Sequence, residues 1–95
     1  MVWYLRVEWF HDFSEEPVDI YSEVGDDGYE VRKVEVFRDG RLQYAGDRHE
    51  AGGTSLSEAP VGTVAEIAAQ DGFRPRVIDR QEFEETWARA VETEQ

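Results

Sequence analysis

The chain has 95 residues, a length typical of one domain, and 40% of them are hydrophobic, which is enough for a single core. It contains no cysteine, so disulfides, thiolate zinc sites and thiol nucleophiles are excluded. The 22 acidic residues outnumber the 10 basic ones, for a formal net charge of −12. Because that charge repels phosphates and anionic lipid headgroups, we expect neither nucleic acid nor a membrane as partner.

Alternating hydrophobic residues predict two β-strands at the start of the chain. Trp3, Leu5, Val7 and Trp9 occupy every second position, so they share one face of a strand, which we expect to face the core. The same alternation over residues 18–24 predicts a second strand. Its outward-facing residues are expected to be Asp19, Tyr21 and Glu23.

Two turn signals predict that the sheet continues as a meander. The Gly-Asp-Asp-Gly stretch at 25–28 tolerates the positive φ of a tight reversal, and the Asp-Gly pair at 39–40 is a strong hairpin signal. Between them we expect a third strand with a bulge near residues 32–33, where the alternation changes parity. A short fourth strand is expected at 42–44.

A long loop and two helices are predicted after the strands. Residues 46–62 contain four glycines and one proline, and loops of this length are often functional, so this segment is a candidate contact surface or the wall of a ligand pocket. Thr63 and Glu66 form a capping-box pattern at the start of a first helix. Hydrophobic residues recur at helical spacing from Phe83 onward, which predicts a second helix.

Strands followed by helices are typical of the α+β class. We therefore predict one α+β domain over residues 1–95, with a four-stranded antiparallel meander and both C-terminal helices on one face of the sheet. A fifth strand near residues 76–78 is a further option. The uncovered face of the sheet would then be available to a partner.

The acidic residues are concentrated in one part of the chain. Residues 11–30 contain eight Asp or Glu residues and no Lys or Arg. Such a run can simply keep an edge strand from aggregating, or it can form a docking surface for a basic partner. Aromatic residues interleaved with these carboxylates are suited to holding Arg or Lys side chains, which favours docking. The predicted binding residues are Asp12, Glu15, Glu16, Asp19, Tyr21 and Glu23.

His11 is the one candidate for chemistry. It lies beside Asp12 at the end of the first strand, so it could act as a general base of a small-molecule binder or hydrolase whose pocket lies between the long loop and the sheet. No phosphate-loop or nucleophile-elbow motif is present, and the spacing of the two histidines supports no metal site. We assign no catalytic residue, metal or cofactor, and expect a binding protein.

Short motifs spread over the chain carry a resemblance. They are Trp9-x-His11, Glu16-Pro17, Glu30-Val31-Arg32-Lys33-Val34-Glu35-x-Phe37 and Phe83-Glu84-x-x-Trp87. In this order they resemble a family of small acidic bacterial proteins that is catalogued only as a domain of unknown function. The resemblance covers almost the whole chain and implies no catalytic residue. Such proteins are similar in style to the immunity proteins of bacterial toxin systems, which implies by analogy a role in protein–protein binding.

The sequence therefore predicts an acidic interaction module that binds a basic protein partner and acts by occlusion. The charged residues Arg6 and Glu8 interrupt the first segment, which lacks the pattern of a signal peptide, so we expect a cytoplasmic protein. Two alternatives remain: the small-molecule binder or hydrolase using His11 and a neighbouring carboxylate, and a homodimer that pairs through exposed aromatic residues.

Overall fold

The computed structural model describes residues 1–46, 49–51, 56 and 59–93, with the backbone alone for residues 49–51 and 93. It contains an antiparallel sheet in the strand order β5-β4-β3-β2-β1-β6 and two helices. The strands are β1 (Trp3–Trp9), β2 (Asp19–Val24), β3 (Glu30–Val36), β4 (Leu42–Gly46), β5 (His49–Ala51) and β6 (Phe73–Ile78). The helices are α1 (Val64–Ala68) and α2 (Arg80–Thr93). The α+β class is confirmed.

Both predicted hairpin turns are present, and glycine provides the backbone conformation that each requires. Gly28 and Gly40 have φ values of 85° and 90°, in the left-handed region that other residues rarely adopt. The amide of Gly28 donates to the Gly25 carbonyl over 2.9 Å, which closes the turn between β2 and β3. The meander of β1 to β4 therefore follows the local turn chemistry.

The predicted bulge in the third strand is also present, one residue earlier than expected. Glu23 pairs with Arg32, whereas the next residue of β2 pairs with Glu30, so Val31 is the additional residue. After the bulge, Arg32 and Val34 point to the same side of the sheet.

The sheet is larger than the predicted four strands because β5 and β6 extend it at opposite edges. Strand β6 contains the expected extended segment near residues 76–78 and pairs with β1 from Phe73 to Ile78. The Trp9 amide donates to the Val18 carbonyl just before β2, and the next amide, that of Phe10, donates to the Gly72 carbonyl just before β6, so successive backbone amides here point to opposite neighbours. Pro75 lies opposite Val7, and its missing N–H therefore faces the outer edge.

The helices cover opposite faces of the sheet, which corrects the prediction that both lie on one face. Leu5 and Val7 pack with Ile67 of α1. Tyr4, from the alternate set of β1, packs on Phe83 of α2, with 5.4 Å between ring centroids. The prediction failed because Arg6 and Glu8 made the Tyr4 side of β1 resemble a solvent-facing surface.

Hydrogen bonds from side chains fix the starts of both helices. The Thr63 hydroxyl accepts from the Glu66 amide over 3.1 Å, and the Glu66 carboxylate accepts from the Thr63 amide over 2.8 Å, which confirms the capping box. Asp79 accepts from the Glu82 amide over 2.8 Å at the start of α2.

Gly72 and Gly40 allow a test of how tightly the end of β1 is packed. Both have positive φ, but a Cβ on Gly72 would lie 3.0 Å from the Phe10 carbonyl oxygen, whereas nothing lies within 4 Å of one on Gly40. We expect Gly40→Ala to reduce the free energy of unfolding by about 1 kcal/mol through backbone strain alone. Gly72→Ala should cost about 2 kcal/mol or more, because the clash adds to the strain. Urea denaturation measures both, and equal losses would contradict this packing.

Candidate functional site

The connection between β1 and β2, residues 10–18, forms an aromatic and acidic projection at one end of the sheet. Trp9 anchors it, with its ring centroid 5.6 Å from that of Phe73 and 4.2 Å from that of His11. Phe13 stacks on His11 at 5.4 Å. Phe10 and Phe13 remain 56% and 64% exposed, so this segment presents large hydrophobic side chains to solvent.

His11 holds this connection together through both ring nitrogens. Its Nε2 lies 2.7 Å from the Pro17 carbonyl oxygen, and its Nδ1 accepts from the Phe13 amide over 2.9 Å. Because a carbonyl can only accept and an amide can only donate, this geometry makes Nε2 the donor and Nδ1 the acceptor of the ring. Action as a general base would therefore require His11 to release the Phe13 amide.

Two open cavities flank the projection. One has a volume of about 440 Å³ and is lined by Trp9, Phe13, Ser14, Glu15 and Glu16. The other, of about 660 Å³, is lined by Asp12, Asp19 and His11, among others. The structure therefore brings five of the sequence-predicted residues to one end of the sheet. We call the exposed side chains there, Phe10, Asp12, Phe13, Glu15 and Glu16, the acidic loop surface.

Two of the predicted binding residues lie elsewhere, and this is a correction. Tyr21 is only 8% exposed and belongs to the core beneath α2, because the second face of the sheet is covered. Glu23 is bound by Arg32, with 2.7 Å between the Glu23 carboxylate and Nε of the guanidinium. Asp19 lines a cavity but is bound by Arg6 over 2.9 Å.

Arg32 is the centre of a charged cluster on the α2 face, and the contacts of this cluster with α2 were not predicted from the sequence. Its guanidinium donates two hydrogen bonds to Glu23 and two to Glu84 of α2. It also lies over the rings of Phe83 and Trp87, 4.9 Å and 5.0 Å from their centroids. Two carboxylates and two aromatic rings leave this arginine no role at an exposed site. These five side chains are the Arg32 cluster.

The Arg32 cluster also affects the ionisation of Glu84. The hydrogen bonds from Arg32 favour the charged form and lower the pKa of Glu84 below its usual value. A carboxyl group whose pKa is lowered in the folded state stabilises the fold at pH values above its unfolded-state pKa. That contribution is lost as the pH falls through the lowered value.

The protein is of the α+β class: a small antiparallel sheet has one helix on each face, and an acidic connection lies at one end of the sheet. The family described as Domain of unknown function (DUF6881) matches residues 3–92, and the chain belongs to that family. The predicted resemblance to a domain of unknown function is therefore confirmed. No curated protein and no solved structure matches the chain.

Two further features concern the described part of the chain. No helix there has the length and hydrophobicity needed to cross a membrane. Among these same residues, no group of three or more His, Asp or Glu side chains could hold a metal ion.

The lowered pKa of Glu84 gives a pH-dependent prediction. Glu84→Gln should reduce stability at neutral pH because the pairing with Arg32 loses its charge. The deficit should begin to shrink below the ordinary glutamate pKa of about 4.3 and should disappear only after the pH has fallen through the lowered pKa of the folded state, where the wild-type carboxyl is also neutral. Urea denaturation over this pH range measures the difference, with Glu85→Gln, at an exposed neighbour, as the control. A deficit that does not depend on pH would contradict the assignment.

The two hydrogen bonds of His11 predict its tautomer in solution. At a pH well above the ordinary histidine pKa of about 6.5, long-range ¹H–¹⁵N spectra should show a protonated Nε2 and an unprotonated Nδ1. His11→Gln identifies which imidazole signals belong to His11. Protonation at Nδ1 instead would show that His11 does not hold the Phe13 amide.

Proposed function

We propose that this protein is an interaction module that binds a basic protein partner through the acidic loop surface and acts by occlusion. One observation carries the proposal. In the described part of the chain, no Lys or Arg forms an ion pair with Asp12, Glu15 or Glu16. Asp19 and Glu23, by contrast, each form an ion pair with an arginine. These three exposed carboxylates are therefore available to cations from another molecule.

The aromatic residues beside these carboxylates strengthen the proposal. Within the chain, the Arg74 guanidinium already lies 5.0 Å from the centroid of Phe10, so this end of the sheet accommodates a cation on a ring face. Phe13 is more exposed and lines the cavity that contains Glu15 and Glu16. An arginine side chain entering that cavity would meet a ring and two carboxylates, a combination that stabilises a cation more than either group alone.

The net charge of the chain contributes at longer range. A formal charge of −12 attracts a basic partner before contact and raises the association rate, and this attraction weakens as salt is added. The short-range contacts of the acidic loop surface would then select the orientation of the bound partner. Occlusion needs only that the bound loop covers the basic surface of the partner.

The two alternatives differ from this proposal in what they require. A hydrolase that uses His11 has to break one of the two hydrogen bonds that the ring makes in this structure. A homodimer would use the exposed rings of Phe10 and Phe13, and would place the carboxylates of both copies near one another unless its interface avoided them.

Titration with a nona-arginine peptide tests the proposed surface. We expect amide chemical-shift changes centred on residues 9–18, and a double variant Glu15→Lys/Glu16→Lys that binds about thirtyfold more weakly, because two interface charges worth on the order of 1 kcal/mol each amount to about 2 kcal/mol. Affinity for the wild-type chain should fall with added salt.

The matched control is Glu85→Lys/Glu92→Lys, which changes the net charge equally at exposed positions of α2. It should lose much less affinity for the peptide than the variant of the acidic loop surface. Equal losses, or shift changes spread over the whole chain, would mean that the peptide senses only the net charge. Sedimentation of the free chain distinguishes the homodimer, which would form without peptide and depend on Phe13.

A further inference from the structure

The sequence contains three Asp-Gly pairs, at 27–28, 39–40 and 71–72, and no asparagine. An aspartate side chain can react with the backbone amide that follows it, and glycine permits this reaction most readily because it has no Cβ to obstruct the ring that forms. Asparagine reacts through the same kind of ring, so in this chain the Asp-Gly pairs are the sequences most open to such a change. The structure differs at the three pairs in the freedom that it leaves the glycine.

The turns at 27–28 and 39–40 have the same local hydrogen bonds. In both, the glycine amide donates to the carbonyl three residues earlier over 2.9 Å. Each aspartate also accepts from the amide two residues later, over 3.1 Å at Asp27 and 3.0 Å at Asp39. These contacts turn both carboxyl groups toward the peptides that follow them. Local geometry therefore does not distinguish the two pairs.

Contacts with distant segments distinguish them. The Gly28 carbonyl accepts a hydrogen bond from the Val61 amide over 2.8 Å, so the first turn is tied to the segment before α1. Gly72 is held more tightly, because its carbonyl accepts from the Phe10 amide over 2.8 Å and a Cβ on it would lie 3.0 Å from the Phe10 carbonyl oxygen. Gly40 is exposed, and nothing lies within 4 Å of a Cβ placed on it. Within the described residues, it is the one glycine of the three whose backbone makes no hydrogen bond to a distant segment.

We propose that Asp39 is the preferred site of spontaneous isomerisation to isoaspartate in this protein. The Gly40 amide nitrogen forms a bond to the side-chain carboxyl carbon of Asp39, and its proton leaves with the carboxyl hydroxyl as water, which gives a cyclic imide. Water then breaks the bond between the ring nitrogen and the original backbone carbonyl carbon. The main chain now continues through the side-chain carbon of residue 39, and the former backbone carbonyl is a free carboxylate. One water is released and one is taken up, so no other reactant is needed.

The freedom of the glycine sets the rate because ring closure takes its amide out of the turn. The attacking nitrogen loses its proton, so its hydrogen bond within the turn breaks at either pair, and the Asp-Gly peptide has to rotate toward the carboxyl group. At 27–28 this rotation displaces Gly28 and also breaks the bond from Val61. At 39–40 the hairpin opens without loss of a backbone hydrogen bond to another segment, which is a local opening of low cost.

The product changes the turn between β3 and β4. Isoaspartate adds one atom to the main chain and moves the carboxylate from which the Arg41 amide receives its acceptor. The neighbouring Arg38 donates to the His11 carbonyl over 2.6 Å, so the modified turn contacts the connection between β1 and β2. The proposal rests on the hairpin alone and does not depend on the proposed partner.

Incubation of the wild-type chain at neutral pH for several weeks tests the proposal, with peptide mapping by electron-transfer fragmentation, which distinguishes isoaspartate from aspartate. We expect isoaspartate to form at Asp39 about fivefold faster than at Asp27, a ratio that corresponds to about 1 kcal/mol, the net worth of one hydrogen bond. Formation at Asp71 should be the slowest. In a parallel sample unfolded in urea the three pairs should react at similar rates, because their reacting residues are identical. Equal rates at Asp39 and Asp27 in the folded chain, or the same preference for Asp39 in urea, would overturn the proposal.

A pair of variants tests whether the bond from Val61 protects the first turn. Val61→Pro removes the N–H that donates to Gly28, whereas Val61→Ala keeps the N–H and loses the hydrophobic side chain. We expect folded Val61→Pro to react at Asp27 about as fast as at Asp39, and Val61→Ala to keep most of the wild-type difference. An unchanged rate at Asp27 in folded Val61→Pro, or equal acceleration by both variants, would overturn the assignment. If Val61→Pro does not fold, the comparison of the folded and urea-unfolded wild-type chain still decides the proposal.

Discussion

The contact of Arg32 with Glu23 and Glu84 is the constraint on which the arrangement of this protein depends. One guanidinium joins β2, β3 and α2, and the hydrophobic rings of Phe83 and Trp87 lie against its plane. A charged group that is half-buried beside rings needs partners for its donors, and here hydrogen bonds to two carboxylates engage four of the five N–H groups. The cluster thereby fixes α2 on one face of the sheet.

This placement of α2 determines what the rest of the molecule can present to a partner. With one face covered by the long helix, α1 and residues 59–63 are left to cover the other, and the short helix leaves a cavity beside Glu30. Asp19 is paired with Arg6 and Glu23 with Arg32, so these two carboxylates are not available to a partner. The exposed carboxylates of Asp12, Glu15 and Glu16 remain on the connection after β1, near the exposed rings of Phe10 and Phe13.

Local patterns predicted the elements well, whereas contacts between distant residues decided the site. The turn at 25–28, the Asp-Gly hairpin and the Thr63 capping box follow from neighbouring residues, and all were predicted. The pairing of Arg32 with Glu84 joins residues 52 positions apart, so no local pattern indicated it. For the same reason Tyr21 and Glu23 were predicted to be exposed. Alternation shows which residues share a face of a strand, but not what covers that face.

Pro75 at the outer edge of β6 limits how this sheet can grow. The residue interrupts the row of backbone donors at the middle of the strand, so an incoming strand would lose a hydrogen bond where its alignment matters most. Arg74 and Arg76 flank it and would face like charges in a symmetric encounter of two β6 edges. Fibril-like stacking of copies through this strand is therefore opposed by the ring of one imino acid and by two guanidinium groups.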